Sequence, residues 1–161
     1  MIRPIRIAAA VAGSYNPCIG PSTATFDTEP LSAGQMLSRL EAIVGCYPGY
    51  VSLSEAGELQ GYAYAHPWKE KAAYRYTLET TIYLAPRFVG QGVGRALLSH
   101  LVDGCRREGY RSLIACITQS NVASETLHRK VGFRPVSRFV QVGTKFGRWI
   151  DVADYQLLLV E

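Results

Sequence analysis

VGQGVGRALL (residues 89–98) places glycine at 90, 92 and 94, on alternate positions, just ahead of a strongly helical run. Each glycine loses more backbone freedom on folding than any other residue type, so this pattern marks a place that needs bare backbone. From Val93 onward apolar residues recur every four positions, at Val93, Leu97, Leu101 and Cys105, with Leu98 and Val102 beside them. That is the stripe of an amphipathic helix, closed by Arg106, Arg107 and Gly109 where a C-terminus favours cations and glycine. Ahead of the glycines, YRYTLETTIYL (residues 74–84) alternates. Tyr76, Leu78, Thr80, Ile82 and Leu84 fall on one face of a strand, and Thr77, Glu79, Thr81 and Tyr83 on the other.

A strand, a glycine loop and a helix start, in that order, make a cradle for phosphate. The first amides of a helix lack intrahelical partners, and the helix dipole adds partial positive charge there. Spacing then selects the ligand. A Walker A loop needs Lys and Ser or Thr after its last glycine, and Arg95 stands there instead. A dinucleotide fingerprint needs a glycine at 95, and the same residue breaks it. A tight turn alone needs only one glycine.

Working outward, YVSLSEAGELQGYAYA (50–65) is two extended runs around a Gly57 turn, and SLIACI (112–117) is a buried strand. NVASETLHRKV (121–131) is a short helix capped by Asn121 and stopped at Gly132. RFVQVGTKFGRWIDVADYQLLLV (138–160) is a long hairpin about Phe146-Gly147. Upstream, LSAGQMLSRLEAIV (31–44) sets Leu37, Leu40, Ile43 and Val44 at helical spacing and CYPGY ends it. PIRIAAAVAGSYN (4–16) reads as a helix with Pro4 in its first turn. The fold class is α/β with one central sheet, and residues 1–161 are expected to form a single domain.

Lys and Arg number 17 against 13 Asp and Glu, a mildly basic balance without the basic block of a nucleic-acid arm. An anionic small ligand accounts for it equally well. Cys18, Cys46, Cys105 and Cys116 are scattered with no C-x-x-C pair, so neither a zinc site nor a redox motif is expected; four reduced, mostly buried thiols are. The apolar run from Ile7 to Ala12 is shorter than a signal-peptide core, and no stretch reaches the roughly 20 apolar residues of a membrane span. A cytoplasmic protein with neither a metal nor a membrane or nucleic-acid partner is expected.

YLAPRFVGQGVGRALLSHLV (83–102), followed by NVASETLHRKVGF (121–133), resembles the coenzyme A motif and next helix of the GNAT acetyltransferase superfamily. STATFDTEP (22–30), GYAYAHPWKEKAAYRYTLETTIYL (61–84) and QVGTKFGRWIDVADYQL (141–157) are similar to its phosphinothricin and methionine sulfoximine N-acetyltransferase branch. The resemblance implies the GNAT fold: a single mixed, mostly antiparallel central sheet flanked by helices. MIRPIRIAAAV leaves little room for a first strand, which is expected to be short or missing.

The resemblance implies acetyl-CoA as co-substrate, held by the loop Val89, Gly90, Gln91, Gly92, Val93, Gly94, Arg95 and Ala96. Val89 departs from the usual Gln or Arg. Backbone amides of residues 92–96 would grip the pyrophosphate, the main chain of Ile82, Tyr83 and Leu84 would flank the pantetheine arm, and Asn121 and Ser124 would close the far side.

Acetyl transfer to an amine needs a base, because a free amino acid is mostly ammonium at neutral pH. Glu79 is the candidate, and partial burial on its strand would raise its pKa toward the working range. The branch's catalytic glutamate falls on the same position. His128 occupies the place of a superfamily tyrosine near the leaving thiolate, and is suited either to protonating sulfur or to orienting the amine. An oxyanion is expected at backbone N–H near Leu84, where the family's strand bulges.

For the acceptor, PWKEKAAYRY (67–76) supplies Lys69, Lys71 and Tyr74, Phe26 follows the first helix, and Lys145 sits on the terminal hairpin. The branch often carries Arg where this chain has Lys71. A small amino-acid-like amine such as phosphinothricin or methionine sulfoximine is the expected acceptor. A polyamine, peptide or aminoglycoside, or acyl-CoA binding without turnover, are the alternatives. A homodimer through the terminal hairpin is expected from the resemblance.

Overall fold

The computed structural model describes residues 1–4, 25, 29, 31–43 and 45–160. The body of the helix expected over 4–16, together with Cys18, Phe26 and Val44, lies outside them. The elements run β1 (Ile2–Pro4), α1 (Ala33–Glu41), β2 (Gly49–Leu53), β3 (Leu59–Pro67), β4 (Thr77–Leu84), α2 (Val93–Arg107), β5 (Ser112–Thr118), α3 (Val122–Val131), β6 (Arg134–Lys145) and β7 (Arg148–Leu158). Seven strands form one sheet in the order β1-β2-β3-β4-β5-β7-β6. Every neighbouring pair is antiparallel except β4 and β5. Those two are parallel because α2 carries the chain back across the sheet between them.

The first strand is present and short. Pro4 ends it opposite Tyr50, so Pro4 does not open a helix as its position suggests. A proline serves there because β1 is an edge strand, where a missing N–H costs no ladder bond.

Strand alternation sorts the core into two layers. Ala63, Ala65, Leu78, Leu113, Ala115 and Ile117 face Leu97, Leu98, Leu101 and Cys105 of α2, all buried. The small Ala63 and Ala65 let the helix lie close. On the opposite face Val51, Tyr62 and Tyr64 pack against Met36 and Leu40 of α1. That helix opens with a capping box: Ser32 Oγ accepts from Gln35 N at 3.2 Å, and Gln35 Oε1 accepts from Ser32 N at 2.8 Å. It closes at Glu41, before the residues whose spacing extended it to 44.

The β6–β7 hairpin turns at Phe146 and Gly147, both with positive φ (54° and 68°), a two-residue turn whose twist matches the strands. β6 is the sheet's edge, and it carries exposed Val136, Phe139, Val140 and Val142 beside Trp149 of β7. Of the described cysteines, Cys105 is buried while Cys46 and Cys116 are exposed, so the expectation of mostly buried thiols fails for two of three. Among the described residues no helix is long and apolar enough to cross a membrane.

Candidate active site

The ladder between β4 and β5 has three rungs, Thr77–Ser112, Leu78–Leu113 and Glu79–Ile114. Beyond Glu79 the strands part, although β4 runs on to Leu84 and β5 to Thr118. The opening is a cleft of about 1090 Å³ lined by residues 79–84 of one strand and 115–118 of the other. Thr80 Oγ1 donates to Ile114 O at 3.3 Å, the last link before the strands separate. Each strand therefore turns toward the cleft an edge that pairs with no neighbouring strand, and such an edge is a template for an extended ligand lying between them.

The cleft runs to the first turn of α2, where Val89, Gly90, Gly92, Gly94 and Arg95 line it. The three glycines answer different demands. Gly90 and Gly92 have φ of 82° and 83°, and a Cβ at either would meet nothing within 4 Å. They are needed for the left-handed turns that aim the loop. Gly94 is helical and buried; a Cβ there would come 2.9 Å from Leu84 Cδ1 and 3.3 Å from Leu127 Cδ2, so it permits α2 to approach β4 and α3.

Gly92 is the N-cap, and the first intrahelical bond runs from Ala96 N to Gly92 O at 3.1 Å. This leaves the amides of Val93, Gly94 and Arg95 without intrahelical acceptors. Ala96 is thereby removed from the expected set of donors, since its N–H is used inside the helix. Gln91 turns away, its side chain donating to Arg87 O at 2.7 Å. Arg95 and Lys130 add cationic side chains to the lining. Open backbone at two glycines, three spare amides and two cations fit the phosphates of a coenzyme A thioester.

Asn121 and Ser124 both line the cleft. Asn121 Oδ1 caps α3 by accepting from Ser124 N at 3.1 Å. Ser124 O accepts from His128 Nδ1 at 2.8 Å, and Ser124 Oγ lies 3.3 Å from the same nitrogen. A carbonyl only accepts, so a proton sits on Nδ1, and in the neutral ring Nε2 then carries a lone pair. His128 is 2% exposed, and burial holds its pKa below the ordinary range against the opposing Ser124 bond. Its Nε2, like Thr118 Oγ1, is buried and without a partner among the described residues. Both residues line the cleft, so each keeps a polar atom for whatever binds there.

Glu79 stands where the strands part, its side chain 30% exposed. Burial raises its pKa; His66 opposes this and Asp154 adds to it. His66 Nε2 lies 3.9 Å from Glu79 Oε1, from the directly opposite position on β3. Cys116 opens onto the cleft, yet burial by the surrounding walls, with the charges of Glu79 and Asp154, pushes its thiol up to about 12.

The expected departure of β4 from its neighbour near Leu84 is on the β5 side, since β4 pairs with β3 in unbroken register from Leu78 to Leu84. The cleft arises from the parting of β4 and β5. The acceptor-side cations are also placed differently from the cleft. Lys69 Nζ sits 4.3 Å over the Trp68 ring and 5.5 Å from that of Tyr74, on the exposed connection after β3. Lys71 is exposed on the same connection. Lys145 is buried and its ammonium donates to Thr25 O at 2.6 Å, tying the hairpin to a residue of the cleft wall. Missed by sequence reasoning were His66, Cys116, Thr118 and Asp154. His66 comes opposite Glu79 through the β3–β4 register, which is closed by the 68–76 connection and carries no tight-turn signal in the sequence.

Residues 21–133 match the acetyltransferase (GNAT) family. The chain belongs to that family. It is 39% identical over 143 residues to a phosphinothricin N-acetyltransferase of Alcaligenes faecalis, covering 88% of this chain and 73% of that one. It is 38% identical over 155 residues to an L-methionine sulfoximine/L-methionine sulfone acetyltransferase of Salmonella typhimurium, covering 95% and 90%. The fold superposes on a phosphinothricin acetyltransferase of Sinorhizobium meliloti in complex with acetyl-CoA with a TM-score of 0.93, at 37% identity over 98% of this chain and 87% of that one. This GNAT chain is an N-acetyltransferase.

Proposed function

We propose that this GNAT enzyme moves the acetyl group of acetyl-CoA directly onto the α-amine of a small amino-acid-like acceptor of the phosphinothricin and methionine sulfoximine type, with Glu79 as general base. The observation that carries this reading is the position of a proton-avid carboxylate at the fork where β4 leaves β5. A thioester lying between the strands would present its carbonyl beside Glu79. The relatives named above support the acceptor class.

Acetyl-CoA supplies the acyl group as an activated thioester. Glu79 takes a proton from the acceptor ammonium; the free amine then forms the C–N bond as the C–S bond breaks, and the proton lost from nitrogen on collapse leaves with sulfur. The spare amides of Val93, Gly94 and Arg95 bind phosphate, and the free edges of β4 and β5 orient the arm. Neutral His128 has no proton on Nε2 to give, so it accepts a hydrogen bond and orients the ligand, which favours the second of its two suggested roles.

We infer further that two copies pair through the exposed apolar strip of β6 and β7, and that the enzyme works in the cytoplasm, where its unpaired thiols stay reduced. Free-thiol release from acetyl-CoA, scored over a panel of amines, tests the acceptor class. Phosphinothricin and methionine sulfoximine are expected to turn over well above a polyamine, a peptide and an aminoglycoside. Preference for one of the latter overturns the acceptor; tight acetyl-CoA binding with no release for any amine overturns the enzyme.

A further inference from the structure

Glu79 belongs to a row of side chains that crosses the sheet on one face. His66 on β3 pairs with Glu79 on β4, and Glu79 with Ile114 on β5. Cys116 lies two residues along from Ile114, hence on the same face, and pairs with Asp154 on β7; Asp154 in turn pairs with Ser137 on β6. Polar contacts join the row at both ends. His66 Nε2 is 3.9 Å from Glu79 Oε1, while Ser137 Oγ donates to Asp154 Oδ2 at 3.0 Å.

We propose that Asp154 is a positioning residue for the Glu79 base: a second carboxylate on the same face of the sheet, across Cys116 of β5, keeps Glu79 ready for the acceptor's proton. The inference rests on the reading of Glu79 as base given above. Among the described residues, the titratable groups on this face are Tyr62, Tyr64 and His66 on β3, Tyr83 on β4, Cys116 on β5, Asp154 and Arg148 on β7, and Arg134 and Lys145 on β6, with the Lys145 ammonium donating to Thr25 O. Arg39 and Glu41 of α1, the helix on this face, are exposed. Arg138 of β6 is spent on Asp151, at 2.8 Å, and does not neutralise Asp154. His66 and Asp154 therefore flank the base with opposite effects, and like charge on the β7 side disfavours loss of the Glu79 proton.

The same arrangement protects the chemistry. A cysteine beside a thioester is a competing nucleophile only as thiolate. Burial, with the charges of the two carboxylates added to it, holds Cys116 protonated, so the acetyl group is left to the amine.

The test is the pH profile of kcat with one acceptor for wild type, Glu79→Gln, Asp154→Asn and Ser137→Ala. Asp154→Asn is expected to move the acid limb about half a pH unit lower, because removing a negative charge makes Glu79 a weaker base. Ser137→Ala removes a bond and keeps the charge, so its limb stays with wild type. Coincident limbs for Asp154→Asn and wild type overturn the proposal, as does an equal shift in Ser137→Ala, which assigns the effect to packing. A wild-type profile in Glu79→Gln instead removes the base itself, and the proposal with it. Should Asp154→Asn not fold, Asp154→Ser is profiled in its place: the same shift is expected, and a limb coincident with wild type overturns the proposal.

Discussion

Glu79 and Ile114 face each other across the last rung of the β4–β5 ladder, so the carboxylate stands at the crotch of the fork. Further down the ladder on the same face, at Thr77, β4 is still paired with β5 and the residue lines no part of the cleft. Further up it would face the cleft without a desolvating wall. One residue position thus supplies both access and a raised pKa.

Glu79→Gln separates function from stability. Loss of a general base is expected to cost about 10²–10⁴ in kcat. Stability moves the other way. A folded pKa raised above the unfolded value means that burial is tolerated below the unfolded pKa and penalised as pH rises through the folded one. Thermal melts are therefore expected to show Glu79→Gln more stable than wild type at pH 7, with the gap closing toward pH 4. A variant less stable than wild type at both pH values contradicts the burial argument.

Periodicity and turn chemistry made most of this fold legible. Period two in residues 76–84 and four-residue recurrence from Val93 to Cys105 each found their element because one face is buried and the other is not. The glycine loop was legible as a phosphate cradle, but the separate reason for Gly94 was not, since it depends on Leu84 and Leu127 arriving from other elements. The surroundings of Lys69 and Lys145 were not legible for a related reason: a cation in a sequence does not disclose whether a ring or a carbonyl has taken it. Cys116 and Asp154 became partners only through the order β5-β7, a pairing between distant segments.

Gly94 offers a test of close approach. A methyl group on a helical glycine favours the helix by about 1 kcal/mol, whereas overpacking costs about 1–3 kcal/mol. With Leu84 Cδ1 at 2.9 Å, crowding is expected to win, and Gly94→Ala to lower stability by about 1 kcal/mol. Leu84→Ala removes the clashing methyl, so the double mutant is expected to be more stable than the sum of the single effects by about 1 kcal/mol in denaturant titrations. Strict additivity would place the strain elsewhere.

The apolar strip at the sheet edge predicts association. Val140 and Trp149 are 65% and 67% exposed, unusual for large apolar side chains grouped on one hairpin. Sedimentation is expected to give a dimer for the wild type and a monomer for Val140→Lys/Trp149→Lys, with the far-UV spectrum unchanged. A monomeric wild type at tens of micromolar removes the strip as an interface.

His128 gives a pH signature distinct from that of Glu79. Its folded pKa is depressed by burial, so the unfolded chain binds the proton more readily. The neutral imidazole's fit stabilises the fold above the unfolded value of about 6.5, and that contribution fades as pH falls from there through the folded pKa. His128→Asn has no titrating ring, so the stability advantage of the wild type over it is expected to be constant above pH 7 and to shrink steadily between pH 6.5 and 5. Because His66, His100 and the other carboxylates are shared by both proteins, their titrations largely cancel in the difference. An advantage that grows on acidification would mean that the folded protein holds His128 as imidazolium, with a proton on Nε2 and an acid's role in the cleft.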